Sequence, residues 1–142
     1  MDQFELLDNG MLIGPQPTEV DLRQAKQEGI KTVIDFRMPS ETAMPNAELV
    51  ARTGLDYVNI PVNKASLSSD QVDELERVMQ KKEGPFLIHC ATGARAALLL
   101  VLSQARQNGW TARRAFQEAR AMGFDLENAP EFAGFIKATA GS

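Results

Sequence analysis

The residues best equipped for chemistry lie in one short stretch. Cys90-Ala91-Thr92-Gly93-Ala94-Arg95 puts a thiol, a glycine and a guanidinium within six residues, and Cys90 is the chain's single cysteine. A thiolate is a nucleophile, and a guanidinium offers a planar fork that matches two oxygens of a phosphate or sulfate. Gly93 lets the backbone turn so that successive N–H groups converge on an anion. Together they suit covalent catalysis on an oxyanion. Cys90 would attack, the amides of Ala91, Thr92, Gly93 and Ala94 would cradle the transferred group, and Arg95 would stabilise its charge. A lone cysteine is usually a small buried hydrophobe. The company of Gly93 and Arg95 turns the reading towards an anion site.

The flanking sequence must position this loop. Phe86-Leu87-Ile88 is a short apolar run after the Gly84-Pro85 break, as expected of a buried parallel strand, and Ala96 to Leu102 is an apolar run of good helix formers. Cys90 therefore sits at the carboxyl end of a strand, where open α/β sheets bind ligands, and just before a helix N-terminus, whose amides and dipole favour thiolate over thiol. His89 lies inside the strand, and side-chain alternation points it away from Cys90. A structural or tuning hydrogen bond is expected of it rather than general-base work. With one histidine in the chain, no separate Cys-His dyad is available.

Other elements follow in order. Met11 to Ile13 reads as an edge strand stopped at Gly14-Pro15. Thr18 to Asp21 opens a short helix with Val20, Leu22 and Ala25 inward, and Gln16 before it is a candidate ligand contact or a plain turn residue. Lys31 to Arg37 is a clear β run. Asp35 and Arg37 at its end either pair with each other or rim the pocket, with Arg37 as a candidate substrate-binding residue. Glu41 follows in a Met-Pro-Ser-Glu loop. A short helix is expected from Pro45 to Thr53, then a strand from Asp56 to Pro61. Ser68 and Gln71 form a capping box for a helix with Val72, Leu75, Val78 and Met79 on one face. Ala94 to Asn108 should be the buried spine, Thr111 should cap the next helix, with Arg113, Arg114 and Arg120 on a solvated face, and Asn128 with Glu131 should open the last. This alternation predicts a three-layer α/β/α domain with a sheet of four or five mostly parallel strands.

The His-Cys-x-x-Gly-x-Arg loop, preceded by Gly14-Pro15-Gln16-Pro17-Thr18, Val33-Ile34-Asp35-Phe36-Arg37 and Tyr57-Val58-Asn59-Ile60-Pro61-Val62, resembles the bacterial phosphatase-like domain found fused to β-lactamase-like hydrolases. That family is a branch of the cysteine-dependent phosphatase superfamily, and the resemblance runs from about Gly10 to about Leu126. It implies hydrolysis of a phosphate monoester through a cysteinyl-phosphate intermediate. The sequence departs from the wider superfamily in three places. Tyrosine and dual-specificity phosphatases place one more residue between cysteine and arginine, whereas the spacing here is also typical of rhodanese-type sulfurtransferases. Ala96 stands where those phosphatases carry Ser or Thr to assist departure of the thiolate. Asn63 and Lys64 stand where a dual-specificity phosphatase would carry its acid, which contributes roughly 100-fold to 10,000-fold. Asp35 or Glu41 would have to supply that proton, or the substrate must be an activated ester.

Length and composition bound the rest. With 142 residues and 44% apolar content the chain is the size of one domain spanning residues 1–142. A net charge of −4 without a Lys/Arg cluster gives no field for nucleic acid, so the expected partner is a phosphate- or sulfur-containing anionic substrate drawn by the loop itself. One histidine and one cysteine complete no zinc set, and neither a metal nor a cofactor is expected. The apolar run Ala96 to Leu102 is too short to span a bilayer, and the start lacks a secretory pattern. A cytoplasmic protein is therefore expected, in keeping with a thiolate that must stay reduced. Oligomeric state is open. Three functions fit these residues: a cysteine-dependent phosphatase, a sulfurtransferase carrying a Cys90 persulfide, and a non-catalytic phosphoanion-binding module.

Overall fold

Short branched and apolar runs separated by helical segments build one sheet with helices on both faces. The computed structural model describes residues 3–41 and 46–140. The strands are β1 (Glu5–Leu6), β2 (Leu12–Gly14), β3 (Thr32–Asp35), β4 (Asp56–Asn59) and β5 (Phe86–His89), in spatial order β1-β2-β5-β3-β4. All neighbours run parallel except β1, which pairs antiparallel with β2. The helices are α1 (Glu19–Gln27), α2 (Asn46–Ala51), α3 (Ser69–Lys81), α4 (Ala94–Asn108), α5 (Ala112–Ala121) and α6 (Pro130–Thr139), with a 3-10 turn at Pro39–Glu41. Central β5 is buried throughout and holds Cys90 at the middle of the carboxyl edge.

Strand alternation sorts the side chains into two cores. Leu12, Val33 and Leu87 meet Leu22 and Ala25 of α1 and Val50 of α2 on one face. Ile13, Ile34 and Ile88 meet α3, α4, α5 and α6 on the other, and Cys90 belongs to this larger cluster. In α4 every residue from Ala96 to Ser103 is buried, which makes this helix the spine behind the loop. Each of its leucines contributes about 1.5–3 kcal/mol by leaving water, and Leu99→Ala would cost about 2–5 kcal/mol. The Thr18 and Ser68 capping boxes form as expected, and Thr111 Oγ1 accepts the Arg114 N–H.

Four expectations need correction. The Met11–Ile13 run is not an edge, because β1 lies beside it; β1 has two exposed residues and no periodicity to read. Val20 is 72% exposed, since the buried stripe of α1 is carried by Leu22 and Ala25. The helix expected from Pro45 to Thr53 ends at Ala51, and Pro45 lies outside the described residues. Helix α6 starts at Pro130 after Ala129. Proline at the first helical position needs no N–H partner, and Asn128 instead donates its amide to the Asp125 carboxylate at 2.5 Å. The arginines of α5 form a solvated face as expected: Arg114 lies over the Trp110 ring, and Arg120 pairs with Glu127.

Candidate active site

The loop from Cys90 to Arg95 folds around its own sulfur. Gly93 occupies the N-cap of α4 at φ +100°, a conformation that suits glycine, and its N–H donates to Cys90 Sγ at 3.0 Å. Gly93 itself has no side chain to cap this helix. The positive end of a fifteen-residue helix thus faces the thiol sulfur and whatever anion approaches it. A Cβ on Gly93 would come within 2.5 Å of the Phe124 ring and 3.3 Å of the Gly14 carbonyl carbon, so the turn admits glycine alone. The Ala94 N–H points to Thr92 Oγ1 at 3.4 Å, and the Ala91 carbonyl accepts the Gln16 N–H at 3.4 Å. Gln16 therefore abuts the loop through its backbone, while its side-chain amide donates to the Pro17 carbonyl.

Arg95 is held from one side. Its Nη1 donates to Glu41 Oε2 at 2.7 Å and to the Val62 carbonyl at 2.9 Å, and its Nη2 donates to Glu41 Oε1 at 2.6 Å. Of the five guanidinium N–H groups, these bonds take both on Nη1 and one on Nη2. The Nε edge is left for Cys90 and a substrate oxygen. Glu41 raises the Arg95 pKa against the effect of burial, and the nearby Cys90 adds to the rise. In return the Arg95 hydrogen bonds, helped by the Met38 N–H, lower the Glu41 pKa to about 2 despite partial burial.

A second charged cluster lies beneath the sheet edge, on the face of α1 and α2. Asp35 pairs with Arg37 Nε at 3.1 Å, accepts the Arg37 backbone N–H at 2.9 Å and the Tyr57 hydroxyl at 2.8 Å. His89, opposite Asp35 in the β3–β5 register, lies 3.8 Å from it through Nδ1. Burial pushes the Asp35 carboxyl up, but His89, Arg37 and Tyr57 together outweigh it and leave the carboxyl below its ordinary range. Burial also pushes His89 down to about 4, against the pull of Asp35. His89 is accordingly neutral at pH 7, so Arg37 and Tyr57 are the groups that hold the Asp35 charge there.

These placements decide which candidate residues meet. A cavity of about 390 Å³ opens beside the loop, lined by Ala91, Thr92, Ala94 and Arg95 together with Glu41, Asn63, Lys64 and Phe132. Arg37 does not reach it; its side chain is buried against Asp35, and pairing rather than rimming describes both residues. Neither carboxylate weighed as an acid carries a proton to give, because Asp35 is buried as the partner of Arg37 and Glu41 is ionised against Arg95. Phe132 and the Val62 carbonyl had no signal in the sequence. Asn63 and Lys64 had one: they follow a strand parallel to β3 and so emerge at the same sheet edge.

Comparison with known proteins agrees with this architecture. Residues 3–107 match the family described as the phosphatase-like domain of Beta-lactamase hydrolase-like protein. The chain belongs to that phosphatase-like family. It is 27% identical over 154 residues to a Beta-lactamase hydrolase-like protein of Xylella fastidiosa, covering 96% of this chain and 35% of that one. The chain spans about a third of the length of the curated relatives it matches. A candidate phosphatase of Neisseria meningitidis superposes with a TM-score of 0.80 at 27% identity, over 98% of this chain and 99% of that one. Pseudomonas aeruginosa TpbA in complex with pTyr superposes at 0.75 with 16% identity, over 91% and 79% of the two chains, a likeness of fold alone. The fold is that of the cysteine phosphatases. Among the described residues no helix is long and apolar enough to cross a membrane.

Proposed function

We propose that this domain is a cysteine-dependent hydrolase of phosphate monoesters, working through a cysteinyl-phosphate on Cys90. The observation that carries the reading is the Gly93 N–H donated to Cys90 Sγ at 3.0 Å at the mouth of α4. A nucleophile, a helix N-terminus and an arginine edge converge where a phosphoryl group would sit. The Cys90 thiolate attacks phosphorus, the bond to the ester oxygen breaks, and that oxygen leaves with the electron pair. Loop amides and the Nε edge of Arg95 stabilise the charge on the equatorial oxygens. Water then attacks phosphorus, the P–S bond breaks, and the electron pair returns to sulfur.

Two features define the range of substrates. Among the described residues no protonated carboxyl lines the cavity, so the leaving oxygen must be stable as an anion or take its proton from water. Aryl and acyl phosphates fit this better than alkyl phosphates. Ala96, fully buried, offers no hydroxyl to the departing thiolate, so the cysteinyl-phosphate should accumulate.

The test is single-turnover chemistry on wild type and Cys90→Ser, each incubated with an aryl phosphate and, separately, with thiosulfate. Phenolate release and a mass gain of one phosphoryl group, both dependent on Cys90, are expected. The spacing of four residues between Cys90 and Arg95 favours one second reading, a sulfurtransferase. A persulfide on Cys90 without phenolate release would replace the first reading with that one. Phosphate binding without either reaction would make the domain a binding module of cytoplasmic phosphoanions.

A further inference from the structure

The cavity beside the loop is larger than a phosphoryl group needs, and its walls differ in charge. Arg95 and Glu41 both line it, but they cancel one for one as a two-bond ion pair. The remaining charged lining residue is Lys64. Among the described residues Lys64 has neither an ion pair nor a hydrogen bond, and it faces a pocket in a chain whose net charge is −4. Asn63 beside it turns its carbonyl back on its own loop, where Oδ1 accepts the Ala65 N–H at 2.9 Å. That leaves the Asn63 amide N–H groups as donors without an acceptor among the described residues. The wall formed by Asn63 and Lys64 is therefore rich in donors and carries one net positive charge. Ala94 and the buried Phe132 supply the apolar part of the lining.

The phosphoryl group has its own donors in the loop amides, the start of α4 and the Nε edge of Arg95. A second cation is surplus to that group. We propose that Asn63 and Lys64 read a second anionic group on the leaving side of the substrate, so that the preferred substrate is a phosphate ester carrying a carboxylate or further phosphate near the scissile bond. This rests on the hydrolase reading for the identity of the pocket. Lys64 is a specificity-determining residue in it. Were Lys64 instead to stabilise the leaving oxygen, its loss would weaken all esters alike.

The experiment separates these cases by binding, which needs no turnover. Dissociation constants are measured by calorimetry for 3-carboxyphenyl phosphate and its neutral amide, 3-carbamoylphenyl phosphate, on Cys90→Ser and on Cys90→Ser with Lys64→Met. The carboxylate should bind Cys90→Ser roughly threefold to tenfold more tightly than the amide, the size expected of a partly exposed ion pair, and added salt should shrink the difference. In the double variant the ratio should fall to about one. Equal binding of the two esters to Cys90→Ser, survival of the preference without Lys64, or no binding of either ester overturns the proposal. Inhibition constants for the same pair on wild type and Lys64→Met give the same ratio if serine unsettles the loop. A preserved preference in a protein that releases no phenol would sink the hydrolase reading and keep Lys64 only as the reader of a second anion on a bound phosphate ester.

Discussion

Two arginine-carboxylate pairs lie close together along the same edge of the sheet, and they do opposite work. In the Asp35–Arg37 pair the two side chains are 3% and 5% exposed, and Tyr57 and His89 close the cluster. In the Glu41–Arg95 pair they are 27% and 14% exposed, and the guanidinium keeps one edge towards Cys90. The chemistry of the two pairs is the same; their surroundings are not. Burial makes the first pair costly to break, because either partner alone would be an uncompensated charge in the core. Exposure makes the second weak as a brace but lets Arg95 meet a ligand. The contrast separates a residue pair that maintains the sheet edge from one that serves the pocket.

The largest effect should come from breaking the buried pair. Arg37→Met strands Asp35 and should destabilise the domain by about 3–5 kcal/mol, lowering Tm by roughly 10 °C or more. A melting curve within a couple of degrees of wild type would remove the structural role assigned to Arg37. His89 gives the same cluster a pH dependence. Its pKa falls from 6.5 to about 4 on folding, so between these values the unfolded chain binds a proton that the native chain does not. Stability must therefore fall as pH drops through this window, by about 3 kcal/mol in all, and His89→Gln should flatten that part of the curve. Urea titrations at pH 7, 5.5 and 4.5 would check it; equal slopes with pH for the two proteins would contradict the burial argument.

The sequence disclosed these two pairs unequally. Asp35 and Arg37 are two residues apart on a strand, so alternation alone puts them on one face and makes their pairing legible. The same rule put His89 and Cys90 on opposite faces. The loop was legible because strand, turn and helix are local: Gly93 and the apolar run after Arg95 announce the geometry that the hydrogen bond to Sγ completes. Glu41 and Arg95 are 54 residues apart, and no periodicity says which arginine a loop carboxylate will meet. Phe132 reaches the site from α6 and Phe124 from the turn after α5, both far along the chain and with no local pattern that would place them there. Two-residue β1 escaped for a simpler reason, since Glu5 and Leu6 are exposed and carry no pattern.

Next in size is the loss of the fork on the exposed side. Arg95→Lys keeps the charge but cannot span Glu41, Val62 and a phosphoryl oxygen at once. Catalytic efficiency towards an aryl phosphate should drop roughly 100-fold, while stability changes by less than about 1 kcal/mol. Comparing kcat/KM with Tm for Arg95→Lys and Arg37→Met makes the contrast quantitative: one variant should lose activity and keep its melting point, the other the reverse. Parallel losses in both would erase the distinction between the pairs.

The smallest effect belongs to Glu41→Gln, and it is the most discriminating. The glutamine retains one acceptor for Arg95 and loses the charge, so stability should change by less than about 1 kcal/mol at pH 7. Because the Glu41 pKa is lowered from 4.5 to about 2, its contribution to stability is complete above about pH 4.5 and is lost as pH falls towards 2. The variant should therefore differ from wild type at pH 7 and converge with it in strong acid. Activity should fall severalfold, because Arg95 is less firmly held, while the shape of the pH–rate profile between 5 and 9 stays the same. A carboxylate ionised down to about pH 2 cannot deliver a proton in that range. If Glu41→Gln instead abolished a descending alkaline limb, Glu41 would be the acid of the reaction, and its bond to Arg95 would be a resting arrangement that substrate displaces.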